Sequence, residues 1–545
     1  PDGIDHHRVI TDMMRRACSR GFDTWWRRAG SVGFCANPIQ LTCTDEFGRE
    51  RIVWVRCNNR RATVCPSCSD LYARDTWQLV AAGTTGGRHN ITPEVATRPQ
   101  VFITLTAPSF GAVHSSSESR CRDDKKMSGR KRCPHGKPLW CSTIHEHTDA
   151  RVGQPLCAEC YDYLGHVLFT WHLPELWRRF TIALRRNLTK HLKSQRIAAG
   201  SVKVSFVKVV EMQARAIPHI HALIRLDPPE GHATTATDGS GDHKDHGPAA
   251  TCGGGEPRSA TRLAWEPPIS AAELATLIQQ AARTVRLDVQ HPDTNRQSDD
   301  TSRQSDGTSR QSGDTNRQSG DTNRQSDDTQ PPLVVRFGTQ IDTQPLRSQN
   351  YAIPTESDPD VGMSRTSPRR VAGYLAKYVT KSLQDFGVAA GRLSAEAIGD
   401  LNVTGHVRAI LTTIAQLADQ AHTLGIDALA GIGRWLHSLG YRGHVTTKSR
   451  RYSVTMGALR ATRATWMRQQ AAKGFSSQHH SPIDPTEQSD ELWWKFDRAG
   501  HATPGDRTLV YSAALQHILT RRTGLVEARC QAREEQWDPL GGRDD

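Results

Sequence analysis

Two histidines separated by one apolar residue, His219-Ile220-His221, are the residues of this sequence best placed to do chemistry. The run 218–226 alternates apolar residues with the histidines, which predicts a β-strand with both imidazoles on one face. The apolar residues then face a core on the other side. Two imidazoles on a rigid strand could bind a divalent cation, although such a triplet alone is more often structural.

A second predicted strand, residues 202–213, precedes the histidines and carries Glu211 and Gln213 on one face. If the turn covers residues 214–218, Gln213 lies opposite His219 and Glu211 lies opposite His221. A carboxylate beside the imidazoles would suit a hard cation such as Mn²⁺ or Mg²⁺. The alternative interpretation is that Glu211 is a solvated strand residue.

A predicted helix over residues 369–383 supplies a candidate nucleophile. Pro368 can open this helix. The helix has two tyrosines four residues apart, Tyr374 and Tyr378. Tyrosines at this spacing usually pack in a core, but here two lysines lie on the same helix face, which favours phosphate binding. A tyrosine phenol is about one part in a thousand ionised at pH 7, and a nearby cation could offset that shortfall and let it attack a phosphodiester. The residues of this face are Tyr374, Lys377, Tyr378 and Lys381.

Most of the 13 cysteines fall in clusters, which in a cytosolic chain indicates metal ligation rather than disulfides. The first cluster, between Cys35 and Cys68, predicts a structural zinc site, with Cys43 as an alternative ligand. The second cluster, between Cys121 and Cys160, predicts another zinc site. Its rival ligands are Cys121, His135, His145 and His147. The alternative for both clusters is free buried thiols. The predicted ligands are Cys35, Cys57, Cys65 and Cys68 in the first site, and Cys133, Cys141, Cys157 and Cys160 in the second.

The net charge of +13 and the excess of Lys and Arg over Asp and Glu, 70 to 57, suit a polyanionic partner, nucleic acid first. No apolar run is long enough to span a membrane, and the start lacks a signal-peptide core. A basic run over residues 447–463 is a candidate for contact with DNA phosphates, although a solvated helix face explains it nearly as well. Its candidate residues are Lys448, Arg450, Arg451, Arg460 and Arg463.

The order of predicted elements is a strand at 101–106, a helix at 161–196, the two-stranded hairpin, a helix at 269–289 with Ser270 as its N-cap, a strand at 333–337 and the tyrosine helix. This order implies an α+β fold with a mainly antiparallel sheet and packed helices. Polar, low-complexity insertions at 228–259 and 290–331 are predicted to be disordered, because the heptad-like repeat in the second has no apolar position.

Four regions follow from these predictions. They are an N-terminal Cys-rich domain over residues 1–100 that begins with a Trp-rich helical stretch at 7–30, a central domain over 101–386 with a Cys/His insertion at 121–163, a helical basic region over 387–470 and a C-terminal tail over 471–545.

Three ordered motifs together resemble those of rolling-circle replication initiators of the HUH endonuclease superfamily, closest to the initiators of actinomycete plasmids and integrative elements. The first is Phe102-Ile-Thr-Leu-Thr106; the second combines Glu211-x-Gln213-x-Arg215 with His219-Ile-His221; the third is Tyr374-x-x-Lys377-Tyr378. The likeness extends to Thr106–Gly111, Gly440–His444 and Thr447–Ser453. Ala216 is a departure, since such initiators often have Gly there, and its loss could distort the hairpin turn.

The resemblance implies that Tyr374 cuts one strand of origin DNA, keeps the 5′ phosphate and frees a 3′ hydroxyl for a polymerase. Tyr378 would act second, and Arg215 and Lys381 would contact DNA. No phosphate-binding loop occurs in the sequence, so a host helicase is expected as a partner, in a bacterial cytoplasm. A transposase or conjugative relaxase of the same chemistry is an alternative. A zinc-stabilised DNA-binding repressor that does not cut DNA is another.

Overall fold

The computed structural model describes residues 5–44, 50–116, 132–141, 143–146, 149–229, 265–289, 332–346, 368–379, 386, 388, 392–475 and 494–536. The helices are α1 (His6–Ala17), α2 (Phe22–Ser31), α3 (Pro66–Thr85), α4 (Tyr163–Ser194), α5 (Ala271–Thr284), α6 (Pro368–Tyr378), α7 (Gly405–Thr423), α8 (Met456–Phe475) and α9 (Pro504–Gln536). The strands are β1 (Ile39–Thr44), β2 (Glu50–Val55), β3 (Gln100–Leu105), β4 (Lys203–Met212), β5 (Pro218–Asp227), β6 (Arg286–Val289), β7 (Leu333–Arg336), β8 (Ile341–Pro345), β9 (Thr446–Lys448) and β10 (Lys495–Ala499).

A five-stranded sheet of order β8-β3-β5-β4-β9 forms the centre of the molecule, and all of its neighbouring strands pair antiparallel. The predicted α+β class with antiparallel sheets is therefore confirmed. The histidine strand β5 is the central strand, so it has partners along both edges. The backbone that carries the histidines is therefore hydrogen-bonded to β3 on one side and to β4 on the other.

Helices cover both faces of this sheet. Ile220, Ala222, Ile224 and Leu226 of β5 join the larger core with α4, α5 and α7. Leu223, from the alternate face, joins a smaller core with α3 and α6. The alternation predicted for residues 218–226 is confirmed, and the whole of β5 is buried because its histidine face is covered as well.

Several predicted elements differ at their ends. The helical stretch at 7–30 is two helices, α1 and α2. Ser270 caps α5 with a full capping box, as predicted, but the helix ends at Thr284 rather than near Val289. Residues 286–289 instead form β6, because Leu287 and Val289 alternate into the core while β6 pairs with β7. The strand predicted at 333–337 thus lies in a separate two-stranded sheet.

The segment expected to be a C-terminal tail is part of the N-terminal fold. Strand β10 pairs with β1 in a three-stranded sheet of order β10-β1-β2. Helix α9 buries Val510 and Ala514 against the cluster around Trp25. Asp506 of α9 also accepts two hydrogen bonds from Arg16 of α1, at 2.7 and 2.8 Å. The interpretation of residues 471–545 as a tail is wrong for residues 495–536.

The region 387–470 is continuous with the central sheet rather than a separate helical unit. Strand β9 is the edge strand next to β4, and Tyr452 is fully buried in the smaller core. Residues 230–264 and 290–331, which hold most of the two predicted insertions, lie outside the described residues. Among the described residues, no helix is both long and apolar enough to cross a membrane.

Candidate functional site

The β4–β5 hairpin pairs Glu211 with His219 and Val209 with His221. The predicted register, with Gln213 opposite His219 and Glu211 opposite His221, is wrong by two residues. The loop covers 213–217 rather than 214–218, and the Gln213 amide donates to the Ile217 carbonyl at 3.0 Å to close it. Because both strands run into the loop, moving it by one residue shifts the pairing by two.

Glu211 nevertheless reaches His221, by a diagonal contact across the hairpin. Its Oε2 lies 2.8 Å from His221 Nε2, and Thr104 Oγ1 of β3 lies 3.1 Å from Nδ1 of the same ring. Glu211 and His221 are 8% and 4% exposed. A carboxylate beside the buried imidazole is therefore present in the structure, although it comes from a different pairing than predicted.

His219 faces a cleft of about 820 Å³ at the end of the hairpin. The cleft is also lined by Gln213, Arg215 and residues 106–109 and 111–113, and Arg215 Nη2 lies 3.4 Å from His219 Nε2. Burial, aided by the positive charge of Arg215, lowers the pKa of His219 to about 3. His219 is therefore neutral at pH 7, the form in which an imidazole binds a metal.

Two histidines that sequence reasoning missed hold the hairpin loop. His166 of α4 lies 3.2 Å from the Ala216 carbonyl, and His406 of α7 lies 3.0 Å from the Arg215 carbonyl. Ala216 adopts a left-handed φ of 59° and is fully buried. The loop thus forms with Ala at the position where the resemblance led us to expect Gly. No local motif links these histidines to the loop, because they lie 50 and 191 residues from their partners.

The tyrosine helix α6 begins at Pro368, as predicted, and buries Val371 and Leu375 against α3 and the sheet, together with Val379 directly after its end. The Tyr374 ring meets the His221 ring edge-on, with centroids 5.1 Å apart and an interplanar angle of 89°. Tyr374 remains 38% exposed.

The other predicted members of this helix face are described only in part. Lys377 is exposed on α6. Helix α6 ends at Tyr378, whose side chain is outside the described part of the chain, and Lys381 is outside it altogether.

The fit of the four predicted cation ligands is partial. Glu211 and His221 contact each other at 2.8 Å, close to the separation of about 3 Å between neighbouring oxygen or nitrogen ligands around an ion bound at roughly 2.1 Å. His219 and Gln213 line the adjoining cleft. Three other Cys/His groups in the described chain converge within 4.8 Å, whereas Glu211, His219 and His221 do not form such a group.

The first cysteine cluster converges as predicted. The sulfur atoms of Cys35, Cys57, Cys65 and Cys68 lie within 4.8 Å of one another. Cys65 caps α3, and its sulfur accepts from the Ala36 and Cys68 amides at 3.3 and 3.4 Å. Hydrogen bonds from Cys35 and Cys57 lower the pKa of Cys65. Four sulfurs in one buried place could hold a tetrahedral zinc ion.

The second cluster differs in one ligand. Cys133, Cys157 and Cys160 converge with His135, not with Cys141. His135 Nδ1 lies 3.2 Å from Cys160 Sγ. Cys141 belongs instead to a third group with His114 and His145. The predicted ligand set was wrong because the loops between the cysteines are long, and spacing alone does not say which donor returns to a site.

The first cluster is coupled to the tyrosine helix through direct packing. Leu79 and Val80 of α3, the helix that Cys65 caps, lie in one core with Val371 and Leu375 of α6. Arg60, in the loop after Cys57, also donates to the Val379 carbonyl at 3.3 Å. The cysteine group therefore supports the backbone that carries Tyr374.

The predicted DNA-binding cations have different surroundings. Lys448 donates to the carbonyls of Ser449, Arg450 and Ser453 at 3.3, 3.3 and 2.7 Å, and Arg463 forms an ion pair with Asp75. Lys448 and Arg463 therefore make contacts within the protein, whereas contact with DNA phosphates was expected. The remaining residues of the basic run, Arg450, Arg451 and Arg460, are exposed.

Comparison with known proteins places this architecture in a family. A family model described as "RepSA: Replication initiator protein, pSAM2" matches residues 21–515. A protein of Streptomyces ambofaciens named "Replication initiator protein" is 30% identical over 558 residues, which cover 98% of this chain and 99% of that relative. No solved structure matches the chain.

Proposed function

The chain belongs to the RepSA family of replication initiator proteins, and from this premise we propose that it starts rolling-circle replication by cutting one strand of origin DNA with Tyr374. The proposal gives the chain an HUH-type endonuclease core, with β5 as the histidine strand and α6 as the nucleophile helix. The family description names replication initiation, which favours this function over transposition or conjugative transfer.

The observation that carries the proposal is the edge-on contact between Tyr374 and His221. These residues lie 153 positions apart in sequence, on separate elements, and were predicted to act together. Because Tyr374 is 38% exposed, a DNA phosphate could reach its oxygen from solvent while the imidazole stays buried.

Each step of the reaction replaces one phosphodiester bond with another. The Tyr374 hydroxyl gives up its proton and its oxygen forms a bond to the scissile phosphorus, the bond from phosphorus to the 3′ oxygen breaks, and that oxygen takes up a proton. The products are a 5′-phosphotyrosyl link and a free 3′ hydroxyl that can prime a polymerase. A later attack by a 3′ hydroxyl on the link rejoins DNA and frees the tyrosine, so no nucleotide hydrolysis is needed.

Glu211, His219 and His221, with Gln213 beside them, would hold a Mn²⁺ or Mg²⁺ ion. When bound, such an ion supplies positive charge that polarises the scissile phosphate and favours an ionised phenol. Lys377, three residues after Tyr374 on α6, adds a second positive charge on that side of the helix. Thr104 Oγ1, 3.1 Å from Nδ1 of His221, orients the ring with Nε2 toward Glu211.

Arg215 would contact the DNA strand next to the cut, because it lines the cleft beside His219. The exposed cations of residues 450–460 would add backbone contacts further away. The Cys35 and Cys133 groups would each hold a structural zinc ion with no part in the chemistry. A host helicase and polymerase would extend the freed 3′ end.

The test incubates the full chain with a supercoiled plasmid that carries its replication origin and with Mn²⁺ or Mg²⁺. We expect relaxed plasmid and a covalent protein–DNA adduct, both lost with Tyr374→Phe and with a chelator. Tyr511→Phe, on α9, is the matched control and should retain both products. Binding of origin DNA without any cutting would instead support a repressor.

Tyr378 has a separate proposed role as the second nucleophile. Tyr378→Phe should leave the first cut unchanged and slow the rejoining step that ends a round of replication. A first cut that fails with Tyr378→Phe but persists with Tyr374→Phe would reverse the two assignments.

A further inference from the structure

A third group of metal-binding side chains lies outside the two predicted zinc sites. His114 Nδ1 lies 3.3 Å from Cys141 Sγ and 3.0 Å from His145 Nε2, and the Cys141 sulfur lies 3.1 Å from the same His145 nitrogen. The three atoms form a nearly equilateral triangle. His145 is 2% exposed, so this triangle sits against the protein interior.

The three contacts of this triangle have at most two protons to share. His145 Nδ1 lies 2.7 Å from Asp149 Oδ2, and a carboxylate can only accept, so Nδ1 carries the proton of the neutral ring. His145 Nε2 is then a lone pair that points at two further donor atoms. The remaining protons are those of His114 Nδ1 and of the Cys141 thiol, which also faces the Thr143 carbonyl at 3.6 Å. At least one of the three contacts therefore has no hydrogen bond to explain it.

The distances suit a shared cation. Nitrogen and sulfur ligands of a tetrahedral zinc ion, bound at roughly 2.0–2.1 and 2.3 Å, lie about 3.3–3.6 Å from one another. The observed separations of 3.3, 3.0 and 3.1 Å lie at the lower limit of that range or a few tenths of an ångström below it. Two imidazoles and one thiolate also form a ligand set that favours zinc over magnesium or manganese.

A second layer of contacts orients one ligand. Arg151 donates from its backbone amide and its guanidinium to the Asp149 carboxylate, at 2.8, 3.1 and 2.8 Å. Asp149 in turn holds His145 through Nδ1. A carboxylate that fixes the far nitrogen of a ligating histidine is a recurring feature of zinc sites.

We propose that His114, Cys141 and His145 bind a third zinc ion, separate from the ions of the Cys35 and Cys133 groups. The three side chains account for three of the four positions of a tetrahedral ion. Neither the sequence spacing nor the family comparison assigns this site: Cys141 was expected in the second cluster, and His114 was not expected to bind metal.

At this position the ion would stabilise one wall of the cleft that His219 faces. His114 follows Ala112 and Val113, which line the cleft. Its backbone pairs with the next loop, through His114 N to Gln154 O and Gly153 N to His114 O, both 2.9 Å. Gly153 in turn lies so close to the β4–β5 loop that an added Cβ would be 2.5 Å from Arg215 N. This consequence rests on the proposed function, whereas metal binding itself does not.

The test measures zinc per chain by mass spectrometry of the purified full-length protein. Cys141→Ser and His145→Gln should each hold one zinc ion fewer than the wild type, with the remaining ions retained. Cys18→Ser, an exposed cysteine outside all three groups, should match the wild type. An unchanged zinc content in both ligand variants would overturn the proposal. This holds even if the wild type contains three zinc ions, because the third ion would then lie elsewhere, for example at His219 and His221.

A second measurement does not depend on removing a ligand. Asp149→Asn should weaken binding of one ion by about 10–100-fold in a chelator competition, because it removes the carboxylate that orients His145. Cobalt loaded into the wild type and into Cys141→Ser should differ by the absorption of one cobalt–thiolate site. Identical chelator curves for Asp149→Asn and wild type, with identical cobalt spectra, would contradict the third site even if DNA cutting were never observed.

Discussion

Tyr374 meets His221 edge-on, with 5.1 Å between ring centroids, although the two residues come from a helix and a strand that are far apart in sequence. Phe102 of β3 completes this contact: its ring is parallel to that of His221 within 8° and edge-on to that of Tyr374 at 5.7 Å. Aromatic packing therefore fixes the phenol relative to the imidazole. All three residues belong to the three motifs that resemble those of rolling-circle initiators.

The loop that carries Arg215 should respond to the glycine beneath it. Gly153 has a φ of +87°, and a Cβ there would be 2.4 Å from the Ala214 carbonyl carbon. Gly153→Ala should displace the loop and lower DNA cutting at least about tenfold, since small misplacements of a reacting group cost this much or more. Nicking rates of the purified variant measure the effect.

Gly425→Ala is the matched control for that variant. Gly425 also has a positive φ, +65°, but nothing lies within 4 Å of an added Cβ. Both variants carry the backbone strain of a left-handed alanine, about 1–2 kcal/mol, so only the contact with the loop separates them. Equal nicking rates would show that Gly153 does not position the loop.

Stability should fall in acid because His166 is buried in its neutral form. Burial lowers the pKa of His166 to about 3, below the unfolded value near 6.5. The unfolded chain therefore binds more protons between pH 6.5 and 3, and the stability present above pH 6.5 is lost as pH falls through that window. Each unit of pKa difference corresponds to about 1.4 kcal/mol.

Urea unfolding at pH 7, 5.5 and 4.5 measures this effect. His166→Gln should be less stable at pH 7, because Ala216 loses its partner, and should show a flatter dependence on pH than the wild type. Other buried histidines, such as His219, give the variant a residual slope. A wild-type slope retained in full by His166→Gln would contradict the assignment.

Salt dependence should separate Arg215 from Lys448. Arg215→Ala should weaken single-stranded DNA binding and reduce the slope of log affinity against log salt by about one, because one phosphate contact is lost. Lys448→Met should lower stability, since three carbonyl groups lose their donor, without changing that slope. Fluorescence anisotropy across a salt series measures both. Equal slopes for Arg215→Ala and wild type would remove Arg215 from the interface.

Zinc content should distinguish Cys35 from Cys43 as a ligand of the first cysteine group. Cys35→Ser should lose one zinc ion and lower stability by several kcal/mol, since structural zinc in small modules can contribute on the order of 10 kcal/mol. Cys43→Ser should retain the ion, because Cys43 is buried on β1 outside the group. Zinc content and urea unfolding check both. Loss of zinc with Cys43→Ser alone would show that the ligand set is different.

Local patterns in the sequence were enough to predict the strand, the hairpin and the helix that form the site. Alternation identified β5, and Pro368 marked the start of α6. The register could not be predicted, because a loop at 213–217 and one at 214–218 leave the same apolar pattern on both strands. Glu211 reaches His221 in either case, since direct and diagonal neighbours on one face are both within reach of a long side chain.

Contacts between distant segments were beyond sequence reasoning for a physical reason. Strand β10 is short and exposed along its whole length, so it carries no apolar alternation that would announce it. Only its pairing with β1, more than 450 residues earlier, makes it a strand. His114 is similar, because it meets Cys141 and His145 only after the loops between them fold.

Mapping the covalent adduct tests the central claim most directly. Trypsin should cut after Arg370, Lys377 and Lys381, which places Tyr374 and Tyr378 in separate peptides, 371–377 and 378–381. After the first cut of origin DNA and nuclease trimming, mass spectrometry should find the nucleotide on the peptide of Tyr374. A nucleotide found on any other peptide, or an adduct that persists in Tyr374→Phe, would contradict the account.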